Sequence, residues 1–251
     1  MHDFALTPHY AVFFLSPLFL SVLDVALGRK SFGDALQWRP DQGTEVLVIP
    51  LDGSPVRRMG AEACFQWHFA NAFERNDEIL VDFVHYPDFE TNQYLEHLYR
   101  GVAAPEAAGR LCRARIDLHR STVDFEMLAR FSAEFCSVAP GMEGRETGLL
   151  VTASHTSLAA TRGPLDQVST MHLQTGEVLH RSFGEGCFVF EPLLAAGSTE
   201  EWVLAPVHDA HQEDGYLSVM RAENLEEVAR CRFSEAPRTS FHGRWVAGPV
   251  A

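Results

Sequence analysis

A chain of 251 residues with 46% hydrophobic and 22% charged residues has globular composition, which excludes a disordered or collagen-like polypeptide and leaves room for a sizeable core. Acidic residues outnumber basic ones 34 to 20, for a net charge of -14. That balance denies nucleic acid its Lys/Arg footprint and disfavours anionic membrane surfaces.

The first basic residues, Arg29 and Lys30, come after the first apolar stretch, so the start does not read as an export signal. That stretch, residues 10–27 (YAVFFLSPLFLSVLDVAL), admits three readings. It is nearly long enough for a membrane span, but Pro17 and Asp24 interrupt it. It also reads as a buried strand over 10–15 followed by a short apolar helix, or as a surface patch that dips into one leaflet. Most later segments read as β: 44–51 (TEVLVIPL), ended by Pro50 and the turn Asp52-Gly53, then 78–85 (EILVDFVH), with Ile79, Val81 and Phe83 on one face and Asp82 on the other. Residues 92–100 (NQYLEHLYR) predict an amphipathic helix with Tyr94, Leu95 and Leu98 on one side, and 103–108 a loop. Strands are then expected at 148–153 and 187–190, a hairpin at 202–207 and 216–221, and a last strand at 228–233. Short strands at close spacing with turn signals between them indicate a sandwich, barrel or propeller. No clean repeat and no linker marks a domain boundary, so residues 1–251 read as one domain.

Cys64, Cys112, Cys136, Cys187 and Cys231 are scattered, with no C-x-x-C pair. They read as reduced thiols of a cytoplasmic protein. Three of the twelve histidines stand in unusual settings: His2 in MHDFALT, His68 in QWHFANAFE and His242 in SFHGRW. Each alone reads as a packed residue bonded to backbone, or as a metal ligand. Their neighbours Phe4, Trp67, Phe69, Phe241 and Trp245 could form an apolar shell that excludes water and fixes the rings, with Asp3 and Asn71 as polar supports. They lie far apart in sequence, so only tertiary structure can assemble them. A zinc hydrolase fits less well, because the set contains no HExxH-type pair and no evident general base.

MHDFALT, WHFANAFE, FEP and FHGRW, in that order, resemble motifs of the carotenoid cleavage oxygenase family, which includes apocarotenoid oxygenases and stilbene-cleaving dioxygenases. The stretch from EEWVLAPV to FHGRW is the closest match, and the resemblance covers essentially the whole chain. It implies an all-β fold, the family's seven-bladed β-propeller, with a ferrous ion, Fe(2+), held by four histidines on the axis. Three of these carry over to His2, His68 and His242. The resemblance also implies glutamates that accept a hydrogen bond from the far ring nitrogen of a ligand. Glu191 in FEP matches one such position. Glu126 in VDFEMLAR matches another, although the family pattern E-F-P-R is replaced there by Glu-Met-Leu-Ala.

The family's first ligand and early blades lie upstream of the HDF motif, which here begins at position 2. A blade takes about 40–45 residues, so seven need about 300 and this chain holds about five, fewer with the insertion after His2. The expectation is therefore an N-terminally incomplete propeller. Its implied activity is dioxygenase cleavage of a C=C bond in a carotenoid, apocarotenoid or stilbene-type substrate, with O2, to give two carbonyl products. The alternative is a truncated, inactive propeller lacking one ligand. The implied partners are an apolar small molecule and O2, with no nucleic acid. Peripheral membrane contact would use residues 11–27, including Phe13, Phe14, Leu18, Phe19 and Leu20. The remaining histidines, among them His85, His97, His155, His172, His180, His208 and His211, are not expected to be ligands.

Overall fold

The computed structural model describes residues 2–102, 104, 106–157, 159–197, 200–233 and 242–246. Its strands form four successive antiparallel sheets, three of four strands and the last of five, together with one two-stranded hairpin. The first comprises β1 (Ala5–Leu6), β2 (Tyr10–Leu15), β5 (Thr44–Pro50) and β6 (Arg57–Ala61). Between β2 and β5 the chain makes an excursion through the small hairpin β3 (Leu18–Leu20) and β4 (Leu36–Trp38), with the short helix α1 (Val22–Ala26) between them. The second sheet contains β7 (Phe69–Arg75), β8 (Glu78–His85), β9 (Arg110–Asp117) and β10 (Thr122–Met127), with helix α2 (Thr91–Tyr99) linking β8 to β9. The third contains β11 (Glu134–Ser137), β12 (Leu149–Ser154), β13 (Gln167–His172) and β14 (Val178–Ser182). In the fourth, β15 (Cys187–Val189) and β16 (Leu193–Ala196) both pair with β17 (Glu201–Asp209), which continues to β18 (Asp214–Arg221) and β19 (Glu227–Arg232).

The core lies between sheets, as in a propeller. Phe14, Val46, Ile79 and Phe83 join the first sheet to the second. Val84, Leu111, Leu150 and Met171 join the second to the third, and Val151, Val168, Val203 and Met220 join the third to the fourth. Phe14 sits edge-on to both Phe69 and Phe83 with ring centroids 5.1 Å apart. A ring buried this fully contributes about 3–5 kcal/mol against truncation to Ala.

The apolar stretch after His2 is divided between core and surface. Residues 10–15 form the expected buried strand, so Phe14 belongs to the core and not to a surface patch. Phe19, Leu20, Val22 and Leu23 stay exposed on the excursion. Among the described residues no helix is long and apolar enough to cross a membrane.

β8 corrects the simple alternation read from its sequence. Asp82 does point away from Ile79, Val81 and Phe83, but that face is covered too, and Asp82 is 0% exposed. Arg113, its cross-strand partner on β9, donates to both carboxylate oxygens, Nε to Oδ1 at 2.6 Å and Nη2 to Oδ2 at 2.8 Å. Burial still pushes the Asp82 carboxyl above its ordinary range, with Arg113 opposing. The five cysteines are all free thiols, four of them buried.

Candidate metal centre

The first strand is short in the first sheet and irregular in the other three, and these features build the site. His2 lies just before β1, and His68 just before β7, whose register shifts between Phe69 and Asn71. Glu134 opens β11, which shifts register before Ser137. Glu191 falls in the gap between β15 and β16, where the edge lets go of β17. A strand held in a regular ladder presents its side chains at fixed intervals; a break re-aims them. His242 arrives from the segment after β19 and meets Glu191.

One ligand atom from each of His2, His68 and His242 lies within 4.8 Å of the others. Asp3 latches the His2 segment to the His68 segment by accepting the Phe69 N–H at 2.8 Å. His68 Nδ1 sits 2.5 Å from Glu134 Oε2, and His242 Nδ1 sits 3.3 Å from Glu191 Oε1, whose other oxygen accepts the Gly243 N–H. A carboxylate only accepts, so each of these Nδ1 atoms carries a proton, and Nε2 is the nitrogen of the neutral ring that can ligate a metal. His68 Nε2 is buried with no protein partner. A buried polar atom without a partner is costly, and a cation bound by the three rings would relieve it. Burial, and then the proximity of His68 and His242, push the His2 pKa down and keep that ring neutral. Burial would lower His68 as well, but the Glu134 carboxylate outweighs it and the net shift is upward. Three imidazoles, two of them backed by carboxylates, suit a divalent transition metal.

Glu134 is itself held from three sides. Tyr86 Oη donates to Oε1 at 2.8 Å, and the Phe135 N–H donates to Oε2 at 2.7 Å. Burial, then the adjacent Glu134 charge, raise the Tyr86 pKa far above the ordinary range, so the phenol remains a donor. Phe135 has φ 53, a left-handed conformation that costs a non-glycine residue about 1–2 kcal/mol. In that conformation its N–H reaches the carboxylate, and its ring packs 5.0 Å from His68 and 6.1 Å from His242.

The three histidines border a cavity of about 380 Å³. Its walls are mostly apolar, with Trp67, Leu165, Val189 and Phe190 among them. The apolar side of α2 expected from its sequence does exist, and its Tyr94, Leu95 and Leu98 line this cavity. Gly109 leaves the space Tyr86 needs: a Cβ there would fall 2.6 Å from the Tyr86 ring and 2.4 Å from Val84.

Of the residues singled out by sequence, the structure brings together His2, His68, His242 and Glu191. It does not bring Glu126. That residue is exposed on β10, the outermost strand of the second sheet, opposite Arg113. The carboxylate on His68 is Glu134, in FSAEFC. It lies in no motif singled out from the sequence. The aromatic shell is also smaller than its sequence implied. Trp67 packs edge-on to His2 at 5.6 Å, while Phe69 turns into the core, Phe4 and Trp245 are largely exposed, and Phe241 lies outside the described residues. His155, one of the histidines not expected to be a ligand, is buried and lines the cavity.

Successive antiparallel sheets packed on one another, with histidines gathered beside their first strands at an apolar cavity, define a propeller-type protein with a polyhistidine centre. Residues 1–247 match the Retinal pigment epithelial membrane protein family, and the chain belongs to that family, the carotenoid oxygenases. It is 28% identical to apocarotenoid-15,15'-oxygenase of Synechocystis sp. over 98% of its own length and 51% of the relative's. It is also 28% identical to carotenoid cleavage dioxygenase 8 homolog A of Oryza sativa subsp. japonica, covering 98% of this chain and 47% of that one. Among solved structures, a cobalt-substituted Synechocystis ACO superposes with a TM-score of 0.86 at 25% identity, over 98% of this chain and 53% of that one. An ACO/RPE65 chimera gives 0.87 at 25% identity, with the same coverage. The chain thus spans about half the length of these relatives.

Proposed function

We propose that the protein acts in the oxidative cleavage of a carbon–carbon double bond in an apolar polyene or stilbene-type molecule. One C=C and one O2 give two C=O groups. The observation that carries this reading is the convergence of three histidines, two of them carboxylate-supported, on an apolar cavity in a chain of this family. His2, His68 and His242 would hold a ferrous ion, which when bound supplies a place to bind and activate O2. The cobalt-substituted relative supports a divalent metal at this centre. Glu134 and Glu191 hold His68 and His242 in one tautomer and orientation, and Tyr86 and the Phe135 N–H hold Glu134. Trp67, Leu95, Leu98 and Phe190 exclude water and align the alkene; no side chain is required as general acid or base. The four sheets would belong to the seven-bladed arrangement implied by the family resemblance. The exposed side chains of the β3–α1–β4 excursion would rest on a lipid surface, from which an apolar substrate is drawn.

A second reading, a non-catalytic propeller unit, is favoured by the exposure of His2 and His242. The two separate on one experiment. The protein is loaded anaerobically with ferrous iron, iron per chain is measured, and O2 is admitted with an apocarotenoid or a stilbene. Near-stoichiometric iron and two carbonyl products by mass spectrometry support the enzyme. Folded protein that takes up no iron supports the non-catalytic unit.

A further inference from the structure

A second group of polar side chains borders the cavity, without a hydrogen bond to the histidine cluster among the described residues: Tyr94 on α2, Ser132 ahead of β11 and His155 after β12. Its hydrogens can all be assigned. The Gly163 carbonyl receives the Tyr94 hydroxyl at 2.5 Å and His155 Nε2 at 3.1 Å. A carbonyl cannot donate, so Nε2 carries the proton and Tyr94 points its hydrogen at the same oxygen. Both lone pairs of Gly163 are then filled. His155 is buried, which pushes its pKa down and keeps it neutral, so Nδ1 is a bare acceptor. Ser132 Oγ, 2.9 Å from that Nδ1, must donate to it, and it accepts the His155 backbone N–H, also at 2.9 Å.

Every hydrogen in the group is thereby spent inside the group. What remains toward the cavity is one lone pair on Tyr94 Oη and one on Ser132 Oγ. This polar wall can accept a hydrogen bond and has none to give. We infer that Tyr94 and Ser132 form a subsite for a hydroxyl-bearing end of the substrate, an alcohol or phenol, and that they disfavour the corresponding aldehyde or ketone. A hydroxyl donates to the free lone pair. A carbonyl oxygen placed there meets only other acceptors and loses the water that solvated it. A site built to pair with a hydroxyl also rejects the analogue lacking it, because its own buried acceptors are left without partners.

This inference rests on the reading of the cavity as the substrate site, and the test keeps the two apart. Binding of all-trans-retinol, all-trans-retinal and the hydrocarbon with a methyl group in place of the oxygenated end is measured on the purified protein. Trp67 lines the cavity, so tryptophan quenching reports occupancy whatever the metal content. The expected result is that the alcohol binds about tenfold more tightly than the aldehyde, the effect of roughly one hydrogen bond. Tyr94→Phe should reduce that preference and leave the hydrocarbon's affinity unchanged; Ser132→Ala provides an independent second variant. Equal binding of all three ligands to the wild type overturns the hydroxyl subsite and leaves the cavity as substrate site. Failure of all three to bind overturns both.

Discussion

Replacing Glu134 by Gln preserves shape and removes one charge, which makes it the sharpest probe of the metal centre. Oε2 accepts two N–H donors, from His68 and Phe135, so the amide oxygen must take that place. The amide NH2 then faces the Tyr86 hydroxyl, which has to turn from donor to acceptor. His68 keeps a hydrogen bond at Nδ1, but a charge-assisted bond worth about 1.5–3 kcal/mol becomes a neutral one worth about 0.5–1.5 kcal/mol. The difference, of order 1–2 kcal/mol, falls on the basicity of the ligand nitrogen, and supports of this kind typically change metal affinity 10–100-fold. Equilibrium dialysis against Fe(2+) or Co(2+), with metal content read by mass spectrometry, should show E134Q weaker by about that factor. Glu126→Gln, on the exposed outer strand, should bind as the wild type does. Unchanged affinity in E134Q, or equal losses in E134Q and E126Q, would refute the assignment of Glu134 as the support of His68.

Three further outcomes follow from other parts of the fold. Asp82→Ala leaves Arg113 uncompensated between packed strands and should cost about 3–5 kcal/mol in urea denaturation, while a double replacement of both partners by Leu should recover much of the loss. His155 is kept neutral by burial, with its folded pKa below the ordinary 6.5. On acidification below about 6.5 the unfolded chain takes up a proton that the folded chain refuses, so this contribution is complete above that pH and declines below it. The urea midpoint should fall between pH 7.5 and 5.5, and more gently in His155→Asn; an identical slope in the two proteins would remove His155 as a cause. Finally, phosphatidylcholine vesicles should co-sediment with the wild type and release a Val22→Glu/Leu23→Glu variant, because these side chains are 67% and 65% exposed. Equal pelleting of the two would show that the excursion does not touch lipid.

What could be read from sequence depended on whether a signal was local. β8 and the hairpin β17–β18 are apolar runs bounded by turns, and both stand close to where their composition puts them. β13, reading QVSTMH, gives no such signal. Its polar residues are buried among partners from neighbouring strands, with Ser169 bonded to Ser154 and to His180. The three histidines were legible because their flanking motifs are distinctive. Glu134 was not, because its role depends on a register shift and on a left-handed residue beside it, and neither leaves a periodic trace. His155 looked ordinary for a related reason: the carbonyl that fixes its tautomer comes from Gly163, eight residues on and folded back by the chain.

The short first strands of the first, third and fourth sheets carry one more consequence. β1, β15, β16 and β11 contain 2, 3, 4 and 4 residues, whereas β8, β9, β17 and β18 contain 8, 8, 9 and 8. Backbone protection against hydrogen exchange should therefore be greatest in the middle strands and fall toward the centre, where few ladder bonds must open to free an amide. In the first, third and fourth sheets the site residues sit on or beside the most yielding backbone, whereas His68 precedes the seven-residue β7, and the long ladders behind them hold the fold. Substitutions in the first strands can then reshape the cavity while leaving the cost of global unfolding to β8–β9 and β17–β18.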